Sequence, residues 1–232
     1  MGGTYTIVVV TAGSDGRTVL YFVRHGEADS NLHGRFGGHS TVPLTTRGRR
    51  QAQLTAHALS PLRPTALVSS DLVRARQTAD TIAESCGLSV ELEPGMRERS
   101  LGVFDGLAFA EAEARYPEAW RRLQSRDPDA IPDGAETTDG VYARVTAAID
   151  GLVERHAGGR IVVVTHGLAL FHAFSHVCGL GSPARHHRVF VLVDNASITH
   201  VEHQLGEDRA HRWRIVRIND VAHLRDLDEP DL

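Results

Sequence analysis

Four short runs of this 232-residue chain hold side chains suited to moving a phosphoryl group. They are Arg24-His25-Gly26-Glu27, Ser69-Ser70-Asp71-Leu72-Val73-Arg74-Ala75, Arg97-Glu98-Arg99 and Thr165-His166-Gly167. A neutral imidazole is a competent nucleophile toward phosphorus. Arginine forks grip a phosphate dianion bidentately and match the charge that builds on its equatorial oxygens. A carboxylic acid can protonate a leaving alkoxide and then, as carboxylate, take a proton from attacking water. A second histidine adds one more hydrogen bond to the transferring group. If arginines supply the positive charge, no metal is required, and no spacing of histidines, cysteines or carboxylates suggests a metal site.

Each run begins where a β-rich run ends. Val19 to Val23, Thr65 to Val68, Val90 with Leu92, and Arg160 to Thr165 read as buried strands, being β-branched with few polar interruptions. Between and after them, helical periodicity covers Arg47 to Leu59, Leu72 to Cys86 (closed by Gly87), Thr138 to His156 and Leu168 to Val177. Ala108 to Leu123 is helical but must break at Pro117. Val189 to Val193, Ser197 to Glu202 and Trp213 to Ile218 read as closing strands. The alternation predicts an α/β fold, a single domain with a mostly parallel sheet covered on both faces as a three-layer α/β/α sandwich. In such sheets ligands sit beyond the carboxyl ends of the strands. Two histidines, two arginines and a carboxylate are therefore expected at one edge.

The rest of the chain narrows the classes. Apolar residues make up 41%, charged residues 23%, and the net charge is −4, so nothing favours nucleic acid or an anionic membrane as partner. All basic residues are arginine; there is no lysine. Cys86 and Cys178 have no paired spacing and read as reduced and partly buried, which with the lack of a signal or spanning segment predicts a soluble, cytoplasmic protein. Residues 1–17 form an N-terminal arm whose apolar run, Thr6 to Thr11, fits an edge strand or a disordered lead; residues 18–220 form the domain; residues 221–232 read as a solvated acidic tail.

Arg24-His25-Gly26-Glu27 closely resembles the opening signature of the histidine phosphatase superfamily, the phosphoglycerate mutase-like group. The resemblance continues through Asn31, Arg35, Pro43-Leu44-Thr45, Gly48, Gln51-Ala52, the run from Ser70 to Ala79, Glu98 with Leu101-Gly102 and Asp105-Gly106, and Val164 to Gly167. It spans roughly residues 18–200 in the family's order. It implies that His25 is phosphorylated, that Arg24 and Arg74 clamp the phosphate, that His166 completes that pocket, and that Glu98 is the proton donor. It further implies substrate contacts from Asn31, Arg35 and Gly167, no cofactor, and a small phosphorylated molecule as substrate. Gly26 and Gly167 would let backbone approach the ligand. Thr41 stands where the family often has Asp, and Gly37-Gly38 where a Gln-Gly pair is common.

The segment Pro132 to Glu136 resembles a family glycine-glycine-glutamate-serine stretch, so Glu136 either lines the pocket or starts a helix. The remaining histidines, including His186-His187, read as surface. The resemblance admits a homodimer, and no apolar stripe decides it. Hydrolysis of small phosphorylated metabolites is the favoured activity. The alternatives are a cofactor-dependent phosphoglycerate mutase and a catalytically silent module that binds a phosphorylated ligand. The region from Leu107 to Thr137 is short and free of lysine, unlike the longer lysine-rich insertion of the family's mutases, which favours hydrolysis.

Overall fold

The computed structural model describes residues 16–124, 132–183, 190–206, 211–225 and 227. Six strands form one sheet: β1 (Thr18–Arg24), β2 (Ala66–Ser69), β3 (Val90–Leu92), β4 (Arg160–Thr165), β5 (Ile198–Leu205) and β6 (His211–Asp220), in the spatial order β3-β2-β4-β1-β5-β6. The pairs β2–β3, β2–β4 and β1–β4 are parallel, whereas β1–β5 and β5–β6 are antiparallel. The helices are α1 (Asp29–Leu32), α2 (Thr46–Leu59), α3 (Val73–Cys86), α4 (Phe109–Arg115), α5 (Pro117–Gln124), α6 (Thr138–Arg155) and α7 (Gly167–Val177).

The strand pleat sends alternate side chains to opposite faces. Leu20 and Phe22 of β1, with Ile161 and Val163 of β4, pack beneath Ile149 and Leu152 of α6 and Leu170 and Phe174 of α7. Tyr21, Val23, Val162 and Val164 face the other way, against Leu59 of α2 and Ala75, Ala79 and Ile82 of α3. The run Ile161 to Val164 is continuously apolar because both faces are covered. Each of these buried side chains contributes about 1.5–3 kcal/mol relative to exposure. A third cluster lies apart, where Phe104, Leu101 and Ala112 pack with Phe36, Tyr116 and Trp120 under α4 and α5. Pro117 divides these two helices, as expected from its missing N–H.

Register decides what meets at the sheet edge. Arg24 of β1 is level with Thr165 of β4, and Ser69 of β2 is level with Val164. The next residue of each strand, His25, His166 and Ser70, therefore emerges at nearly the same height.

Three expectations fail. Residues 190–193 are not a strand. Their alternation is real, with Phe190 and Leu192 exposed and Val193 buried, but β1, whose Arg24 holds the Val193 carbonyl, already pairs with β4 and β5 on its two flanks. The start of the expected solvated tail is held instead. A short turn of helix over Ala222–Leu224 sets His223 Nε2 3.0 Å from Thr55 Oγ1 and 3.1 Å from the Ala196 carbonyl. Arg17, at the end of the expected arm, pairs with Glu202 of β5 at 3.0 Å. The run Thr6 to Thr11 lies outside the described residues. Both cysteines are free; Cys86 is half-buried as expected, but Cys178, expected to be partly buried, is exposed because it follows the last residue of α7. Among the described residues no helix is long and apolar enough to cross a membrane.

Candidate active site

His25 is buried just past the end of β1. Its Nδ1 lies 2.7 Å from the Gly26 carbonyl, which can only accept, so Nδ1 carries the hydrogen. Nε2 is left as a lone pair, and Arg74 Nε–H approaches it at 3.3 Å. Burial above all, then the charges of Arg74 and Arg24, hold the imidazole pKa well below its ordinary value. The ring is therefore neutral at neutral pH, and the backbone carbonyl on Nδ1 fixes the direction of the Nε2 lone pair. Gly26 serves packing: a Cβ there would meet the Gly48 carbonyl oxygen at 2.4 Å, at the start of α2. The close crossing of two backbone segments is by itself a reason for glycine at this position.

Two arginines flank His25. Arg74, from the first turn of α3, is 1% exposed and donates to the Gly38 carbonyl at 2.8 Å and the Ser40 carbonyl at 3.2 Å. Gly38 has φ +39°, and a Cβ at that position would collide with the Asp105 carboxylate. The Gly37-Gly38 pair thus presents a bare carbonyl to Arg74 where a side chain could not fit. Arg24 donates from Nη1 to the Val193 carbonyl at 2.6 Å, while its Nε has no partner. Burial is the main influence lowering the pKa of both guanidiniums, which remain charged.

His166 is fully buried, its ring centroid 5.0 Å from that of His25. Its Nε2 is 2.8 Å from Ser70 Oγ, and its Nδ1 has no partner. Burial first, then Arg74, His25 and Arg24, hold its pKa well below normal. Glu98 sits at the start of α7, its Oε2 accepting from Leu168 N–H at 3.2 Å and its Oε1 from Arg99 N–H at 2.8 Å. Gly167 joins these groups, since a Cβ there would stand 3.7 Å from Arg24 Nε and 4.0 Å from Glu98 Oε2.

Glu136 does not line the cavity. Its carboxylate takes Arg144 bidentately, at 2.8 and 2.9 Å, and accepts Ser100 N–H at 2.8 Å. Arg144, on α6, also donates to the carbonyls of Gly95 and Arg97 and, at 2.8 Å, to that of Glu98. His39 donates to the same Glu98 carbonyl at 2.8 Å. One arginine thereby pins the backbone that carries Glu98. Arg144 went unnoticed in the sequence because an arginine in the first half of a long amphipathic helix looks like a solvated face.

A cavity of about 760 Å³ opens onto these groups, with Arg24, His25, Arg74 and Glu98 on its wall together with Asn31, Arg35 and Arg99. His166 and Gly167 lie behind that wall. Asn31 Oδ1 accepts from Ala28 N–H at 2.9 Å and from Asn195 Nδ2 at 3.3 Å, so its oxygen closes a turn while the residue faces the cavity. Arg35 is exposed at the mouth and donates to the Gly106 carbonyl at 3.1 Å. His172 corrects the surface reading of the remaining histidines: it is 2% exposed and lines the cavity. Helical spacing places it with Leu168 and Phe171 on one face of α7, and burial, then Arg99 and Arg144, lower its pKa to about 4. His203 is buried as well, against Trp213, while His186 and His187 lie outside the described residues. Among the described residues no group of three or more His, Cys, Asp or Glu is placed to hold a metal ion.

The family model for the histidine phosphatase superfamily (branch 1) matches residues 20–220. The chain belongs to that superfamily, and its mixed six-stranded sheet is the phosphoglycerate mutase-like fold. Among curated relatives, the probable phosphoglycerate mutase GpmB of Cronobacter sakazakii is 35% identical over 207 residues, covering 88% of this chain and 94% of the relative. Its counterpart in Klebsiella pneumoniae is 36% identical over the same shares. Among solved structures, mycobacterial glucosyl-3-phosphoglycerate phosphatase complexed with VO3 aligns with a TM-score of 0.75 at 31% identity, over 88% of this chain and 99% of that one. YhfR of Bacillus stearothermophilus aligns with a TM-score of 0.78 at 25% identity, over 89% of this chain and 99% of that one.

Proposed function

We propose that the protein is a metal-independent phosphomonoesterase that passes the phosphoryl group through His25. The observation that carries this reading is the fixed tautomer of His25, which leaves Nε2 as a lone pair beside buried Arg74, with half-buried Arg24 close by. Arg24 Nε, without a partner, supplies a donor for phosphoryl oxygens, and His166 Nδ1, also without one, supplies a second in the tautomer whose Nε2 accepts from Ser70 Oγ–H; an unmet buried donor costs about 1–3 kcal/mol. The phosphatase structures and the family membership support the same chemistry.

In the first step His25 Nε2 forms a bond to phosphorus as the bond to the ester oxygen breaks. Glu98, protonated, gives its proton to that oxygen, and the alcohol leaves. Arg24 and Arg74 hold the equatorial oxygens and match the charge gathered there. In the second step water attacks phosphorus, the N–P bond breaks, Glu98 takes the water proton, and inorganic phosphate departs. A soluble, cytoplasmic enzyme acting on a small phosphorylated molecule is the setting we infer.

The names of the curated relatives favour a second reading, transfer to a substrate hydroxyl by a phosphoglycerate mutase. Both activities share the phosphohistidine and differ in what receives the phosphoryl group. Phosphate release from a panel of phosphomonoesters, with chelator present and His25→Ala as control, tests hydrolysis. Interconversion of 3- and 2-phosphoglycerate with a bisphosphoglycerate primer tests the mutase. Fast release lost in the variant is expected; primed interconversion without release would replace the hydrolase reading.

A further inference from the structure

The cavity is far larger than a phosphate, and its two ends differ in kind. Beyond Glu98 the wall is made of Phe36, Leu101, Phe109, Phe171, Phe190 and Leu192. Phe109 is 45% exposed, Phe190 54% and Leu192 78%, so large apolar surfaces stand uncovered on a concave wall, where a ligand can cover them. They come as aromatic pairs from separate parts of the chain. Phe36 and Phe109 lie 4.8 Å apart, centroid to centroid, next to α4, and Phe171 and Phe190 lie 4.5 Å apart where α7 meets the segment after it.

The charged residues of the lining suit the phosphoryl group. Arg24, Arg35, Arg74 and Arg99 line it with Glu98, and the Asp105 carboxylate stands directly behind Gly38. Glu136 is taken by Arg144. Among the described residues, these four arginines are the cations that the lining offers a phosphate dianion.

The geometry points to a substrate class: phosphomonoesters whose leaving group carries an apolar, ring-bearing body, seated between Phe36–Phe109 and Phe171–Phe190. This rests on the phosphomonoesterase reading for its chemistry. It separates this site from one built for phosphoglycerates, whose leaving group is small and carries a carboxylate. Phe190 and Leu192 then determine specificity through the apolar surface they offer.

The test compares ligands that differ only in the ring, so that leaving-group basicity does not intrude. Binding of 3-phenylpropylphosphonate and propylphosphonate is measured by calorimetry, and turnover of the matching 2-phenylethyl and ethyl phosphates is measured alongside. The ring is expected to tighten binding roughly 10- to 100-fold, the effect of burying a phenyl group, with a similar gain in kcat/KM. Phe190→Ala combined with Leu192→Ser, both at exposed positions, should shrink that ratio several-fold. 3-Phosphoglycerate should compete less well than 2-phenylethyl phosphate. A ring effect near unity, or one that the double variant leaves intact, overturns the assignment. If neither ester is hydrolysed, the hydrolase reading fails on its own, and the phosphonate ratio still decides the pocket.

Discussion

The floor and the far wall of the cavity are built by opposite rules. The floor consists of buried polar groups at the ends of β1, β2 and β4, each held by hydrogen bonds: His25 to the Gly26 carbonyl, Arg74 to the carbonyls of Gly38 and Ser40, and His166 to the Ser70 hydroxyl. The wall consists of apolar side chains on loops and short helices, several of them open to solvent. A floor of this kind is preorganised for charge developing on a transferring phosphoryl group. A wall of this kind has few partners to lose and can vary without disturbing the sheet. The lesson is a division of labour in which one region sets whether a phosphoester reacts and the other sets which one.

That division yields graded expectations. His25→Ala should lower turnover of every ester by at least ~10⁴-fold, because the covalent route disappears; steady-state phosphate release measures it, and a tenfold loss would mean another nucleophile. Glu98→Gln should slow alkyl esters by about 10²- to 10⁴-fold while sparing nitrophenyl phosphate, whose leaving group needs little protonation. Equal losses on both esters would remove Glu98 as the acid. Arg144→Ala should reproduce part of that leaving-group signature, since Arg144 holds the Glu98 carbonyl, and should lower unfolding stability by about 1–3 kcal/mol by stranding Glu136.

pH separates the two regions further. His25 is held neutral by burial and by Arg74 and Arg24, so the acid limb of kcat/KM should lie below that of an ordinary histidine. On the wall, the folded His172 pKa of about 4 lies below the ordinary histidine value of 6.5. Between those values the unfolded chain takes up a proton that the folded one refuses, so stability falls as pH falls through that window. His172→Gln should flatten its share of this slope, by at most about 3 kcal/mol, as read by denaturant titrations at successive pH values. Smallest of all, Phe190→Ala should leave stability within about 0.5 kcal/mol, because the ring is largely exposed.

The same contrast explains what the sequence could disclose. The floor was legible because strands end where their apolar runs end: Val23, Val68 and Val164 are followed at once by the polar groups that the sheet edge gathers. The inner face of each long helix was legible for the same periodic reason. The wall was not. Phe190 and Leu192 alternate with Val191 and Val193 as a strand would, and only the occupied flanks of β1 show that they are not one. His172 looks like any polar residue in an apolar helix until α7 is docked, and Arg144 and Glu136 find each other only when α6 is laid beside the Glu98 loop.

The most direct measurement is rapid mixing with a phosphomonoester, quenching under alkaline conditions and mapping the bound phosphate by mass spectrometry. Phosphate on His25, formed and lost at rates compatible with turnover, is the expected result. Full turnover with no phosphorylated histidine, or with phosphate on another residue, would contradict the central claim.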